Sequence, residues 1–372
     1  MMIYLDHAAA MRPEQELLDY FCAAASEYYA NQEAVHAGAY RVRQQLATAA
    51  AELFAALLPS ANGEQREAAW AAGGSDAFGY LTAPVWPKGN LVSTALEHPA
   101  LTAALRRTGL EYRTVNCPGG YFDPDHFADC LDAHTRLVAI HHVQSELGLQ
   151  QDWPELASIV RRRAPQALLL ADTIQSAAKL DLQPLHDVDL LTVSGHKLGA
   201  PGGGALLLNG KRAVKFFEAP LVAYRHTDYH CGRPEPATML TLSRAVQLQC
   251  QRRIATAAHL ESLQQFLRRE LVRLPVKLTL APEAPHSPFI CHLLLPGYQS
   301  AVVVRMLSES GILAAAGSAC QAESPKPSAA LLALGYRAKD AYSGLRLSFD
   351  RHTTREELGT FVSVLQKVLA SY

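Results

Sequence analysis

Four short apolar runs most constrain how this chain folds: RLVAIHHV (136–143), ALLLADT (167–173), DLLTVSG (189–195) and GGALLL (203–208). They show little polar alternation, so each reads as a strand buried on both faces. Helical segments between them, such as residues 153–164, supply the cover. That pattern predicts a mostly parallel sheet between two helical layers. Upstream, residues 14–29 and 38–58 read as Ala-rich helices, and WAAGGSDAFGYL (70–81) as a Gly-Gly turn into a helix capped by Ser75 or Asp76. Residues 91–95 read as a strand followed by a helix opened by Pro99.

Past about residue 240 the texture changes. A long helical stretch reaches past residue 270. Shorter strands follow at VKLTLA, FICHLLL and GLRLSF, with helices at 300–310 and 354–370. This predicts a large α/β domain over residues 14–250 and a smaller α+β domain built from residues 1–13 and 251–372. No internal repeat or low-complexity linker interrupts the chain.

Composition bounds the function. With 372 residues, 49% of them apolar, the chain can bury a large core. A formal charge of −1 gives no electrostatic reason to expect nucleic acid or an anionic membrane. No apolar run is long enough to span a bilayer, and the first residues lack the pattern of a signal peptide. Seven cysteines without a C-x-x-C read as reduced thiols of a cytoplasmic protein, with no metal site expected.

The segment SGHKLGAPGGG (194–204) raises the chemical question. A lysine stands where a strand stops, before a loop of small residues. One reading is a solvated turn lysine. A phosphate-binding P-loop fails, because Gly204 and Gly210 enclose five residues, and Arg212 stands where Ser or Thr is required. The third reading is a Schiff-base lysine beside room for a flat cofactor. Asp172, at the end of an apolar strand, is then the acid for a pyridine nitrogen, the alternative being a helix-capping aspartate. Gly73-Gly74-Ser75 offers N–H groups and a hydroxyl to a phosphate. His98 offers a ring at a strand-to-helix turn. Cys320 lies among small and polar residues, unlike the other six cysteines, and is expected to be accessible.

These pieces, in order, resemble the class V pyridoxal-phosphate enzymes, most of all the bacterial cysteine desulfurases of the iron–sulfur assembly type. The resemblance rests on IYLDHAA, NQEAVH, LEHPA, HHVQSELGLQQD, ADTIQSAAKLDL, SGHK, AAAGSAC and GLRLSFDRHTTREEL, and covers nearly the whole chain. It implies a fold type I pyridoxal-phosphate transferase with a seven-stranded, mostly parallel sheet. It also implies pyridoxal 5'-phosphate on Lys197, with His98 stacked on the ring and acting in catalysis. Asp172 is implied at the ring nitrogen, and Gln175 at the phenolic oxygen. Gly74, Ser75, Ser194 and His196 fall to the phosphate, and Arg346 and Asn31 to the substrate. L-Cysteine would become L-alanine as Cys320 takes the sulfur. A homodimer and a sulfur-acceptor or scaffold protein are implied partners.

Three departures stand out. Ser145 replaces an asparagine over the cofactor, with Gln144 beside it as an alternative amide. RPEPAT (233–238) displaces the threonine that reaches the partner's phosphate, leaving Thr238 as its carrier. DHAAAM (6–11) lacks the paired threonines near the entrance. The alternatives are another class V reaction (selenocysteine lyase, aminotransferase or another lyase) and a cofactor-binding relative with little turnover.

Overall fold

The computed structural model describes residues 2–59, 65–224, 235–317 and 326–372. Its centre is a seven-stranded sheet in the order 66–71, 204–209, 190–194, 168–172, 135–141, 90–94, 111–115. All pairings are parallel except the two made by Gly204–Asn209, which runs antiparallel to both neighbours. The four apolar runs form the middle of this sheet, and in strands such as Leu168–Asp172 and Leu190–Ser194 every residue is buried. One face packs against helices Gln15–Glu27, Ala37–Leu57 and Trp153–Arg163, and the other against Pro99–Arg107 and Lys211–Tyr224. Each fully buried leucine in these layers contributes about 1.5–3 kcal/mol of transfer free energy.

A second core lies apart from the first. Strands Ile290–Leu294 and Gly344–Ser348 pair antiparallel, and helices Ser300–Glu309 and Arg355–Ser371 cover them. The N-terminal strand Ile3–Tyr4 pairs with Ile312–Leu313 and adds Ile3 and Leu5 to this core. Helix Pro236–Leu271 serves both cores. Its first half buries Ala237, Leu240 and Leu242 in the first, and its second half buries Leu260, Leu263 and Leu267 in the second. It begins several residues before the texture change at 240, because Pro236 opens it.

Local differences from the sequence reading have simple causes. Strands Arg66–Ala71 and Glu111–Val115 are the two sheet edges, and their polar residues mask the strand pattern. The helix at Gly74 is capped by Gly73, not by Ser75 or Asp76; the Asp76 carboxylate reaches back instead to the N–H of Ala72 (2.8 Å). Among the described residues no helix is long and apolar enough to cross a membrane.

Candidate active site

Strands 90–94, 135–141, 168–172 and 190–194 end on the same edge of the sheet. Open parallel sheets bind ligands beyond such carboxyl ends. A cavity of about 570 Å³ lies there, between the sheet and the N-terminal segment Ala8–Ala10. The strand ends deliver His98, His141, Asp172 and Lys197 to it, and the second core delivers Arg346.

Lys197 is held by glycine geometry. It closes a single turn, Gly195–Lys197, after strand Leu190–Ser194. A Cβ on Gly195 would lie 2.0 Å from the carbonyl oxygen of Gly202, so only glycine lets the loop fold back beneath the lysine. The Lys197 ammonium donates to the carbonyl of Ala9 in the roof.

Asp172 ends strand Leu168–Asp172. Its Oδ1 accepts from the N–H of Ile174 (3.0 Å) and the hydroxyl of Thr192 on the next strand (2.9 Å), which leaves Oδ2 for the cavity. Burial raises the carboxyl from its ordinary 3.8 to about 6. The group is 7% exposed, so it needs a cationic or proton-bearing partner.

His98 caps helix Pro99–Arg107. Its Nδ1 accepts from the N–H of Ala100 (3.1 Å), so the ring proton sits on Nε2. Burial first, then the charge of Lys197, holds its pKa below the usual imidazole value, so the ring is neutral at pH 7.

Gly74, Ser75, Ser194 and His196 all line the cavity. A Cβ on Gly74 would lie 2.6 Å from Ile174 Cδ1 and 3.1 Å from Ser194 Cβ, so its lack of a side chain makes the cradle. Gln175 donates from Nε2 to the carbonyl of Ala8 (3.0 Å), and its Oε1 is buried without a partner. Arg346, 2% exposed, donates from Nη1 to the Ser145 carbonyl (3.0 Å) and from Nη2 to Asp6 Oδ1 (2.6 Å). Its Nε is buried without a partner. Ser145 lines the cavity.

Several expected residues lie elsewhere. The Gln144 amide cannot stand in for the family's asparagine. Its Oε1 accepts the N–H groups of Glu146 (2.7 Å) and Leu147 (2.6 Å), and its Nε2 donates to Leu96, so it shapes the turn and does not line the cavity. Thr238 packs its methyl against Gly203 in the first turn of the long helix, away from this chain's own cavity. Asn31 is exposed and accepts from the N–H of Glu33 (3.0 Å), also outside the cavity. Cys320 lies outside the described residues.

The sequence reading missed Asp6, whose pairing with Arg346 spans 340 positions, and His141, whose Nδ1 lies 2.8 Å from Glu97 Oε1 on the cavity wall. Only the doubled histidine at the end of RLVAIHHV hinted at the second. A larger groove of about 1,020 Å³ lies beyond Ala10, but its Glu14 is already gripped by Arg252 (2.7 Å) and Arg351 (3.0 Å).

The donor set fits pyridoxal phosphate. A lysine, a buried carboxyl, a flat neutral ring and a small-residue cradle with two hydroxyls surround one cavity, and Gln175 and Arg346, each with a buried polar atom left unpartnered, line it too. The site and fold thus define a pyridoxal-phosphate enzyme built on a mostly parallel sheet. The aminotransferase class-V family model matches residues 3–361, and the chain belongs to that family. It is similar to the cysteine desulfurase of Trichormus azollae, 26% identical over 380 aligned positions covering 99% of this chain and 93% of the relative. It is also similar to that of Enterobacter agglomerans, 24% identical with 99% and 92% covered. Among solved structures, a NifS-like protein matches with a TM-score of 0.85 at 18% identity over the whole of both chains. The apo cysteine desulfurase of Thermococcus onnurineus matches at 0.79 and 20% identity, covering 100% of this chain and 95% of that one.

Proposed function

We propose that the chain is a pyridoxal-phosphate-dependent cysteine desulfurase. It converts L-cysteine to L-alanine and leaves the sulfur as a persulfide on Cys320 for transfer to an acceptor protein. The observation that carries the reading is the convergence of Lys197, Asp172, His98 and Arg346 on one cavity. Desulfurase relatives that match 99% of the chain support it.

Bound pyridoxal phosphate supplies an electron sink for the carbon beside the substrate amine. The chain's residues do the rest. Lys197 would tether the cofactor aldehyde and, when free, would take the proton from the substrate's α-carbon. Asp172 would hold the proton on the ring nitrogen, and the neutral ring of His98 would stack on the cofactor. Gln175 has a second amide N–H for the phenolic oxygen. Gly74, Ser75, Ser194 and His196 would hold the phosphate, Ser145 would lie over the ring, and Arg346 would anchor the substrate carboxylate. The Cys320 thiolate then attacks the substrate sulfur. An S–S bond forms, the C–S bond breaks, and its electron pair stays with the carbon fragment, which is protonated to alanine.

We also infer a homodimer. Thr238 lies outside its own chain's cavity, which suits a role toward a partner's cofactor. A reducing cytoplasm suits the five unpaired cysteines among the described residues. Borohydride reduction of the holoenzyme tests the cofactor assignment. The peptide containing Lys197 should carry the reduced cofactor; label on another lysine, or no uptake of pyridoxal phosphate, would overturn the reading.

A further inference from the structure

A turn beside the cavity holds a carboxylate that no step of the mechanism uses. Glu146 is 3% exposed and does not line the cavity. Its neighbour Ser145 does, and gives its carbonyl to Arg346 (3.0 Å). The turn is held from within, because the Gln144 amide accepts the N–H groups of both Glu146 and Leu147. Burial pushes the Glu146 carboxyl up, but His292, the Ser328 hydroxyl and the charge of Arg346 together hold it below its ordinary 4.5, so it is ionised at pH 7. His292 stands opposite Arg346 in the paired strand and brings Nε2 to 3.6 Å from Glu146 Oε1.

The same oxygen meets two other points of the chain. It accepts from the Ser328 hydroxyl (2.5 Å), while Ser328 Oγ accepts in turn from the N–H of Leu331 (3.1 Å) as the cap of helix Ala329–Ala333. Gly317 also lies against it: a Cβ there would be 3.3 Å from Glu146 Oε1. Gly317 directly follows strand Ala315–Ala316, in which Ala315 is the register partner of Arg346. Between Gly317 and Ser328 the sequence carries Cys320, three residues beyond the first. That tether spans at most about 11 Å when extended.

We propose that Glu146 is a positioning residue for the sulfur-transfer step: one buried carboxylate fixes Gly317 and Ser328, the two ends of the segment that carries Cys320, to the turn that also receives Arg346. The inference deepens the proposed function and rests on Cys320 as the sulfur acceptor. Attack on the substrate sulfur needs the thiolate aligned with the C–S bond that breaks. The arginine that anchors the substrate and the ends of the Cys320 segment meet at one turn, so substrate and nucleophile are placed against a common support. Lys197, Asp172 and His98 stand on other elements, so removal of the α-proton does not depend on that support.

The test separates the two halves of the reaction in the holoenzyme. Exchange of the α-hydrogen of L-alanine with solvent deuterium, read by mass spectrometry, reports Lys197 and the cofactor. Persulfide formed on Cys320 in a single turnover at saturating L-cysteine reports the nucleophile. In Glu146→Ala, exchange should stay within about twofold of the parent while persulfide formation slows by at least about tenfold, since a reacting group misplaced by about 1 Å loses up to about a hundredfold. Ser328→Ala, which removes only the hydroxyl, should show the same split, and it decides the question if Glu146→Ala does not fold. Parental persulfide formation in either folded variant would overturn the positioning role and leave the desulfurase reading intact. An equal fall in exchange and persulfide formation would overturn it too, because Glu146 would then support the whole site. Absence of persulfide on Cys320 in the parent would sink the proposed function, and this inference with it.

Discussion

Asp172 shows how a catalytic requirement burdens the apoprotein. The unfolded chain ionises this carboxyl near its ordinary 3.8, whereas burial in the fold raises it to about 6. Between those values the folded state binds more protons than the unfolded one, so stability falls as pH rises through that window. Above about pH 6 the full cost is present; below about pH 4 it is gone. Asp172→Asn keeps an oxygen to accept from Ile174 and Thr192 and removes the charge. The apoprotein of this variant should be more stable than the parent at pH 7.5, by up to about 3 kcal/mol, and equal to it at pH 4. Thermal unfolding at the two pH values checks this, and a difference independent of pH would show that Asp172 carries no such charge cost. The same variant should lose cofactor chemistry, because an amide cannot hold the ring-nitrogen proton.

At the scale of elements, the site depends on two turns at the carboxyl ends of strands Arg66–Ala71 and Leu190–Ser194, which flank Gly204–Asn209. Gly73-Gly74 closes so tightly on the neighbouring strand that a Cβ on Gly204 would lie 2.4 Å from the Gly73 carbonyl carbon. Gly74→Ala must push aside Ile174 and Ser194. It should therefore weaken pyridoxal phosphate binding by about tenfold or more, measured by titrating the apoprotein, while the far-UV spectrum stays unchanged. Parental affinity would mean that the phosphate does not sit in this turn. These turns were legible in the sequence because small residues at strand ends leave a local signal, and so were Lys197 and Asp172. The sheet edges at 66–71 and 111–115 were not: in the first only four apolar residues follow Arg66 and Glu67 and run straight into the Gly-Gly turn, and the second is half-exposed and carries charge. Nor were the Asp6–Arg346 pair and the His141–Glu97 contact, which join residues 340 and 44 positions apart and leave no mark in any short window. Gln144 misled because its amide was read by chemistry alone, when its neighbours' N–H groups had a prior claim on it.

At the scale of the molecule, the cavity draws on both cores and on the N-terminal segment, so the units 14–250 and 1–13 with 251–372, which we propose as domains, must stay docked for activity. Helix Pro236–Leu271 runs through that division and ties the two together. The inferred dimer predicts twice the chain mass of 40.4 kDa in sedimentation at micromolar concentration. Thr238→Ala should lower cofactor retention only modestly, and a monomer with full cofactor occupancy would contradict the dimer. The central claim is sulfur abstraction by a protein thiol, and incubating the purified holoenzyme with L-cysteine tests it most directly. The parent should release alanine and, with a reductant present, sulfide in equal amounts. Cys320→Ala should still bind pyridoxal phosphate and L-cysteine, yet lose persulfide and nearly all sulfide, a fall in turnover of orders of magnitude. Sulfide and alanine released by Cys320→Ala at close to the parental rate would contradict the account, and make this enzyme a lyase that needs no thiol of its own.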